Sequence, residues 1–226
     1  MEIKIQWLKP PKKDQEPSSF RLVSTLAVAG FVSGLLVISV YLATLPTITA
    51  YKLESLRKAV FTVLPSTVEI QEFVYRDQQL VAIAEADKTK HEPSIYAGYD
   101  KDKNLVGYAI NAKGAGYQDT IEVLYGYDHK QQKIVGMKIL DSRETPGLGD
   151  KIFKDLDFVA NFDNLAVKPL VELVKKGKKT ADNQVDAITG ATISSKAVVR
   201  IINNSNAIWL PRIHDIPAVK VSGVMP

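Results

Sequence analysis

The segment from residue 186 to residue 195, with the sequence DAITGATISS, brings a hydroxyl side chain to the predicted start of a helix. The N–H groups of a helix start lack backbone partners and carry the positive end of the helix dipole, so they stabilise a phosphate without a cationic side chain. Thr192 could therefore hold a phosphate as an ester. Gly190 and Ala191 are small enough to let a nucleotide or a flavin approach the backbone. The same pattern also fits an ordinary turn before a capped helix, so both interpretations stay open.

A second candidate segment, Glu144–Ile152 (ETPGLGDKI), follows a predicted strand and opens a predicted helix. Gly147 and Gly149 free the backbone for close contact with a flat ligand, and Leu148 could lie against an aromatic ring. N–H groups at the helix start could face ring carbonyls. Taken alone, the segment also fits a plain loop with a proline at its bend. Two glycine-bearing loops that each open a helix, in one domain, favour a ligand site.

Composition limits the classes of protein to which this chain can belong. Its 226 residues are 46% hydrophobic and 24% charged, which is typical of an ordered protein. The net charge of +4 is small and the lysines are not interleaved with aromatic residues, so we expect no nucleic-acid partner. Without cysteine the chain holds no disulfide and no cysteine-ligated metal, and His91, His129 and His214 have no metal-binding spacing. Redox chemistry would require an organic cofactor or a partner.

A membrane anchor is predicted near the N-terminus. No charged residue occurs from Leu22 to Tyr51, and the stretch from Leu22 to Leu45 is predominantly apolar. At ~1.5 Å per residue this stretch is about 36 Å long as a helix, enough for a hydrocarbon core of roughly 30 Å. A cleaved signal peptide is the rival interpretation, but its apolar core is usually only ~7 to 15 residues long. We therefore expect an uncleaved, single-pass anchor.

The distribution of basic residues predicts how the anchor is oriented. The segment before it is the more basic one: Lys4, Lys9, Lys12, Lys13 and Arg21 precede the anchor, and Lys52, Arg57 and Lys58 follow it. Because basic flanks tend to stay in the cytoplasm, we expect a cytoplasmic N-terminus in the inner membrane. The C-terminal domain would then be extracytoplasmic, in the periplasm.

From Val68 onward the pattern predicts an α+β domain with a mainly antiparallel sheet and a few helices. Short β-rich stretches separated by turn residues are typical of a strand meander. The predicted strands are 68–75, 80–84, 94–99, 105–112, 121–127 and 134–140, with a short one at 170–174. Helices are predicted at Asp150–Phe162 and Ile193–Ile202.

These patterns divide the chain into five predicted segments. They are a cytoplasmic N-terminal segment (1–21), a transmembrane helix (22–45), an amphipathic connector (46–67), a ligand-binding domain (68–208) and an extended C-terminal tail (209–226). The connector has apolar residues at helical spacing and is ended by Pro65. Prolines after Trp209 predict the extended tail.

In the order of its motifs, the chain resembles the flavin-binding G subunit of the Rnf complex (RnfG), an ion-translocating ferredoxin:NAD oxidoreductase. The resemblance runs through Lys113–Tyr117 (KGAGY), the strands after it, the Glu144–Ile152 loop and the 186–195 segment, and with the anchor it covers nearly the whole chain. The related NqrC protein of the sodium-translocating NADH:quinone oxidoreductase shares both flavin loops, but GDKI at 149–152 is more similar to the Rnf version. Residues 141–143 depart from the family, where a histidine or lysine is usual; this concerns local ring contacts and not the attachment.

The resemblance implies a covalent FMN, joined through its phosphate to Thr192 by a separate flavin transferase that uses FAD. It implies that Asp186 is read by that transferase and that Thr189, Gly190 and Ala191 shape the phosphate turn. The residues implied to line the flavin ring are Glu144, Thr145, Leu148 and Gly149, with Lys151 nearby. The function implied is electron relay in a redox-driven ion pump, alongside the other membrane and peripheral subunits of the complex. No catalytic base is expected.

A membrane-anchored binding or scaffolding module without a cofactor is the alternative from a different class. Such a module has no need for both a nucleophile at position 192 and a glycine-lined planar pocket in the same domain. An NqrC-like protein is the alternative within the same class. Thr192 and the Glu144–Ile152 loop discriminate between a flavin carrier and a scaffold, and a flavin that fluoresces in a denaturing gel would decide between them.

Overall fold

The computed structural model describes residues 18–83 and 93–214, and the chain divides into two units between Lys52 and Leu53. Helix α1 (Ser19–Val63) contributes to both units. Its part within the first unit is exposed, and the helix is long and apolar enough to cross a membrane. The predicted transmembrane helix and most of the predicted connector therefore form one continuous helix, with Pro46 inside it. Residues 1–17 of the predicted N-terminal segment lie outside the described residues.

Hydroxyl groups in the apolar part of α1 bond to the helix itself. Ser39 Oγ donates to the carbonyl oxygen of Leu35 at 2.7 Å, and Thr44 Oγ1 donates to that of Val40 at 2.9 Å. In hydrocarbon there is no water to satisfy a hydroxyl, so a bond within the same helix removes the cost of placing it there. The few polar residues of this stretch are thus compatible with a membrane span.

The second unit is built on a seven-stranded sheet with the order β2-β1-β3-β4-β5-β6-β7. Every neighbouring pair in it is antiparallel, as the alternating pattern predicts. The strands are β1 (Glu69–Arg76), β2 (Gln79–Ala82), β3 (Ser94–Tyr99), β4 (Leu105–Ala115), β5 (Thr120–Asp128), β6 (Lys133–Ser142) and β7 (Leu165–Ala166).

The remaining elements connect the sheet to the candidate segments. They are α2 (Lys151–Lys154), α3 (Leu156–Ala160), β8 (Glu172–Val174), β9 (Gln184–Asp186) and α4 (Thr192–His214). Strands β8 and β9 form a separate parallel pair. The sequence pattern predicts β8 approximately, within the stretch 170–174, and does not predict β7 or β9.

Both faces of the sheet are covered within the second unit. On strand β5, Val123 and Tyr125 belong to the core under α4, whereas Leu124 belongs to a smaller core under the last turns of α1. This alternation follows from the two-residue period of a strand. At Gly126 the end of α1 comes so close that a Cβ atom would collide with the carbonyl oxygen of Val63.

Two predicted boundaries differ from the structure. The helix predicted at Asp150–Phe162 is split into α2 and α3, because Asp155 adopts an extended conformation and its side chain caps α3 by accepting from the N–H of Phe158 at 3.2 Å. The extended tail predicted from Trp209 is wrong for residues 209–214, which continue α4 past Pro211. Burial of Trp209 and Ile213 in the core favours the helix there. Residues 215–226 of that tail lie outside the described part of the chain.

Candidate functional site

Helix α4 begins at Thr192, and the turn before it is tight. Gly190 has φ of +82°, a left-handed conformation that favours glycine, and the N–H of Ala191 donates to the carbonyl oxygen of Ile188 at 3.0 Å. The first intrahelical bond follows, from the N–H of Ser195 to the carbonyl oxygen of Ala191 at 2.9 Å. The amides at the start of α4 consequently have no partner four residues earlier within the helix. A phosphate on Thr192 would lie at this electropositive end.

Hydroxyl groups of the 186–195 segment differ sharply in exposure. Thr189 and Thr192 are exposed, whereas Ser194 and Ser195 are 3% and 0% exposed. Ser195 Oγ donates to the carbonyl oxygen of Ala191 at 2.9 Å and accepts from the N–H of Ile188 at 3.2 Å. Ser194 Oγ donates to Glu144 Oε2. Thr192 is therefore the accessible hydroxyl of the first turn of α4.

The Glu144 side chain lies at the centre of the site. It is 5% exposed, and its Oε1 accepts from the N–H groups of Tyr117 and Gln118, each at 2.9 Å, and of Asp119 at 3.4 Å. Its Oε2 accepts from Ser194. One carboxylate thus joins the turn at 117–119, the loop that follows β6, and the first turn of α4. We call this set of contacts the junction.

The charge of Glu144 is stabilised by these donors. Burial raises the pKa of its carboxyl group, but the hydrogen bonds from Ser194 and from the amides of the 117–119 turn outweigh burial and hold the pKa below its ordinary value. Glu144 is therefore ionised at neutral pH. Hydrogen bonds to a charged acceptor are stronger than those between neutral groups, so the contacts that Glu144 makes with the other two segments are strong.

Two glycines leave the space that this carboxylate occupies. A Cβ atom at Gly149 would lie 2.7 Å from Glu144 Oε2 and 2.9 Å from Ser194 Oγ. A Cβ atom at Gly116 would collide with Glu144 Oε1 and lie 2.7 Å from the carbonyl oxygen of Asp119. Real Cβ atoms do not approach so closely, so a side chain at either position would displace the carboxylate.

Each of the three joined segments exposes one large apolar side chain. Tyr117 is 66% exposed, Leu148 is 52% exposed and Ile193 is 61% exposed. Exposed apolar side chains of this size, next to glycine-lined backbone, suit the face of a flat ring. The residues present are therefore compatible with a flat ring ligand such as a flavin.

Other residues predicted for the site take different positions. Thr145 is half-buried and its Oγ1 donates to Gln118 Oε1 at 2.8 Å. Lys151 is half-buried at the first position of α2. The Glu144 side chain is turned into the protein, and its oxygens bind amides and Ser194, as described above.

Asp186 lies at the end of β9 and lines a separate cleft of about 420 Å³. Its Oδ1 accepts from the N–H of Gly177 at 3.0 Å, and its own N–H donates to Asn161 Oδ1 at 3.1 Å. Lys176 and Lys179 also line this cleft. The sequence motif thus extends from the cleft, through the turn at Gly190, to Thr192.

Sequence reasoning did not single out Gln118, Asp119, Ser194 or Asp150. The amides of 117–119 carry no side-chain signal, and only the KGAG glycines before them mark the turn. Asp150 is buried and forms an ion pair with Lys154 at 2.5 Å, and the hydrogen bond from Lys154 lowers its pKa. Its Oδ1 has no hydrogen-bond partner among the described residues.

Residues 116–206 match the FMN-binding domain family. This range contains the 117–119 turn, the Glu144–Ile152 loop and the start of α4. Two crystal structures share the fold. NqrC of Shewanella oneidensis has a TM-score of 0.56 at 16% identity, over 70% of this chain and 88% of that chain. The C subunit of the Na⁺-translocating NADH-quinone reductase of Parabacteroides distasonis has a TM-score of 0.55 at 24% identity, over 67% and 80%.

Sequence relatives cover most of the chain. The G subunit of the ion-translocating oxidoreductase complex of Methanosarcina acetivorans is 30% identical over 82% of this chain and 91% of the relative. The G subunit of the proton-translocating ferredoxin:NAD(+) oxidoreductase complex of Clostridium ljungdahlii is 31% identical over 83% of this chain and 90% of the relative. The predicted resemblance to RnfG is thereby confirmed, and the chain belongs to the family of G subunits of the ion-translocating oxidoreductase complexes.

Proposed function

We propose that this chain carries an FMN joined by a phosphoester to Thr192 and relays electrons within an Rnf-type ferredoxin:NAD oxidoreductase complex. Family membership and the FMN-binding domain support the broader role, an electron-carrying subunit of an ion-translocating oxidoreductase. The proposal that Thr192 bears the flavin rests on the exposure of its side chain. It is the exposed hydroxyl at the start of α4, and the serines that follow it are buried and hydrogen-bonded.

Attachment requires one substitution at phosphorus. The Thr192 hydroxyl oxygen would replace AMP on the riboflavin-bearing phosphorus of FAD, with AMP as the leaving group and the hydroxyl proton taken up by the flavin transferase. The amides at the start of α4 would bind the oxygens of the resulting phosphodiester and stabilise its negative charge. Asp186 and the turn at Thr189, Gly190 and Ala191 would present Thr192 to the transferase.

The rest of the site would orient the ring. FMN, when bound, supplies the redox chemistry by accepting and releasing electrons. Leu148, which is exposed, would lie along the ring, with Thr145 at its edge, whereas Gly149 is buried beside Glu144 and Ser194. Lys151, at the start of α2, would place a positive charge near the ring and so stabilise negative charge that develops on it. Covalent attachment removes dissociation, which benefits a carrier placed where a lost flavin could not readily be replaced.

Helix α1 anchors the chain in the inner membrane as a single span, and other subunits of an Rnf-type complex are its partners. For orientation, we propose a cytoplasmic N-terminus and a periplasmic C-terminal domain, supported by the basic excess before the anchor. Electron transfer between the two sides of the membrane would then require cofactors in the partner subunits.

Co-production of the full chain with an active flavin transferase tests the proposal. The wild type is expected to gain the mass of one FMN and to fluoresce as a flavin band in a denaturing gel. Thr192→Ala is expected to lose both signals. Thr62→Ala is the matched control, because its hydroxyl is also exposed but lies on α1, away from the candidate segments, and it should keep the flavin. A dark, unmodified wild type would overturn the flavin assignment and favour a scaffold.

A further inference from the structure

The Glu144 carboxylate makes contacts that a group lining a flavin ring would not need. Within the described part of the chain, its two oxygens accept four hydrogen bonds, three from amides of the 117–119 turn and one from Ser194. Its side chain is almost fully buried. Both oxygens therefore face the interior, and the side chain contributes to the site by holding other groups in place.

The three segments that meet at Glu144 would have different roles toward a bound flavin. The first turn of α4 carries Thr192, which would hold the phosphate, and the loop after β6 carries the exposed Leu148, which would contact the ring. These segments are far apart in the sequence, since 50 residues separate Glu144 from Ser194. Among the hydrogen bonds and ion pairs of the described residues, the bond between Ser194 and Glu144 is the one that joins the first turn of α4 to this loop.

We propose that Glu144 is the positioning residue of this site, which fixes the distance and angle between the phosphate end at Thr192 and the ring end at Leu148. This inference rests on the proposed function of Thr192. A flavin held only by its ester would rotate about single bonds. With the junction intact, the loop and the helix start form one surface, and the ring has one orientation toward its electron donor and acceptor.

The cost of placing a carboxylate here supports a role beyond simple packing. An apolar side chain could fill the same space without the desolvation that ionisation in the interior requires. It would leave the three amides of the 117–119 turn without their acceptor, however, and Ser194 without its partner. A polar side chain of this length, with an acceptor oxygen toward the amides and a second polar atom toward Ser194, holds both segments at once.

The first test measures the junction without any flavin. In full-length Thr192→Ala protein in detergent, hydrogen exchange is followed at residues 117–119. Adding Glu144→Ala is expected to lower the protection of these amides about tenfold, the equivalent of one lost hydrogen bond. Glu144→Gln, used in place of Glu144→Ala, keeps the side-chain length and one acceptor oxygen, so these amides should keep part of their protection. The control Glu122→Gln removes a carboxylate that binds Asn111 and Lys113 instead, and should leave these amides unchanged.

The second test measures the flavin itself, in protein co-produced with the transferase. Glu144→Ala and Ser194→Ala are expected to lower the fluorescence anisotropy of the attached flavin and to shift its reduction potential, while Glu122→Gln keeps both at the wild-type value. Ser194→Ala should leave the exchange at 117–119 unchanged, because it removes only the contact with α4. A merely structural role for Glu144 would lower the stability of the chain without changing the anisotropy or the potential.

The two tests separate the two proposals. A wild type without flavin overturns the proposed function. Unchanged exchange at 117–119 in the Glu144→Ala background overturns the junction, whether or not flavin is attached. A flavin in Glu144→Ala protein that keeps its wild-type anisotropy and potential overturns the positioning role.

Discussion

The carbonyl oxygen of Val63, the last residue of helix α1, lies directly over Gly126, two residues before the end of strand β5. The side chain of Leu64 lies over the same glycine, since a Cβ atom there would approach its Cδ2 to 2.9 Å. The end of α1 thus rests on the backbone of a central strand. Within the second unit this contact closes the face of the sheet opposite to α4.

Gly126→Ala is expected to destabilise the folded domain, because its Cβ atom would push the end of α1 off the sheet. Overpacking of this kind typically costs about 1 to 3 kcal/mol. Thermal unfolding of the full chain in detergent measures it. Gly30→Ala is the control, since a Cβ atom at Gly30 would meet no obstructing atom within 4 Å and the position should tolerate the change. Equal melting temperatures for the two variants would contradict the prediction.

Gly149→Ala is expected to disturb the site locally. Its Cβ atom would displace the Glu144 carboxylate and Ser194, at a cost of about 1 to 3 kcal/mol, and would reduce flavin loading. Chemical denaturation and the flavin-to-protein ratio measure the two effects. Leu148→Ala, in the same loop, removes an exposed side chain and should change the stability by less than about 0.5 kcal/mol. Wild-type loading of Gly149→Ala would show that the loop tolerates a side chain.

The lowered pKa of Glu144 predicts a loss of stability in acid. A carboxyl group whose pKa is lower in the folded chain stabilises it above the ordinary value of 4.5, and this contribution disappears as the pH falls through the lower, folded-state pKa. The stability difference between the wild type and Glu144→Gln should therefore be constant near neutral pH and shrink below pH 4.5. Unfolding curves of both proteins between neutral and acid pH measure this. A difference independent of pH would mean that the charge is not involved.

Trp209→Ala tests the extension of α4 beyond the predicted helix. Trp209 is 4% exposed, so its removal should cost about 3 to 5 kcal/mol. The guanidinium group of Arg212 lies 4.4 Å from the centroid of the Tyr75 ring, and Arg212→Ala should cost only about 0.5 to 1 kcal/mol. The denaturation midpoints of the wild type and the two variants measure these losses of stability. A small effect at Trp209 would indicate that this end of α4 does not pack on the domain.

The absence of cysteine makes the proposed orientation directly testable. Lys101→Cys places a single thiol in the exposed turn between β3 and β4, and Lys12→Cys places one before the anchor. With the outer membrane permeabilised, a maleimide that cannot cross the inner membrane is expected to label the first variant and to leave the second unlabelled until the cells are lysed. The reverse pattern would place the domain in the cytoplasm.

Much of the fold was readable from local patterns. The strands from β1 to β6 lie within a few residues of their predicted positions, because each has an alternating stretch bounded by turn residues. The break at Asp155 and the continuation of α4 past Pro211 were not readable. Both depend on which side chains the core buries, among them Phe158 and Trp209, and such long-range packing overrides local propensity.

The sequence by itself determined the family, the anchor and the chemical candidate Thr192, because the order of motifs and the length of an apolar run are properties of the chain alone. Only the tertiary structure decided that Thr192 is accessible while Ser194 is not, and that Glu144 points inward to join three segments. Hydrogen bonds between residues far apart in the chain exist only once the sheet and α4 have packed together. The spacing of residues along the sequence does not predict these hydrogen bonds.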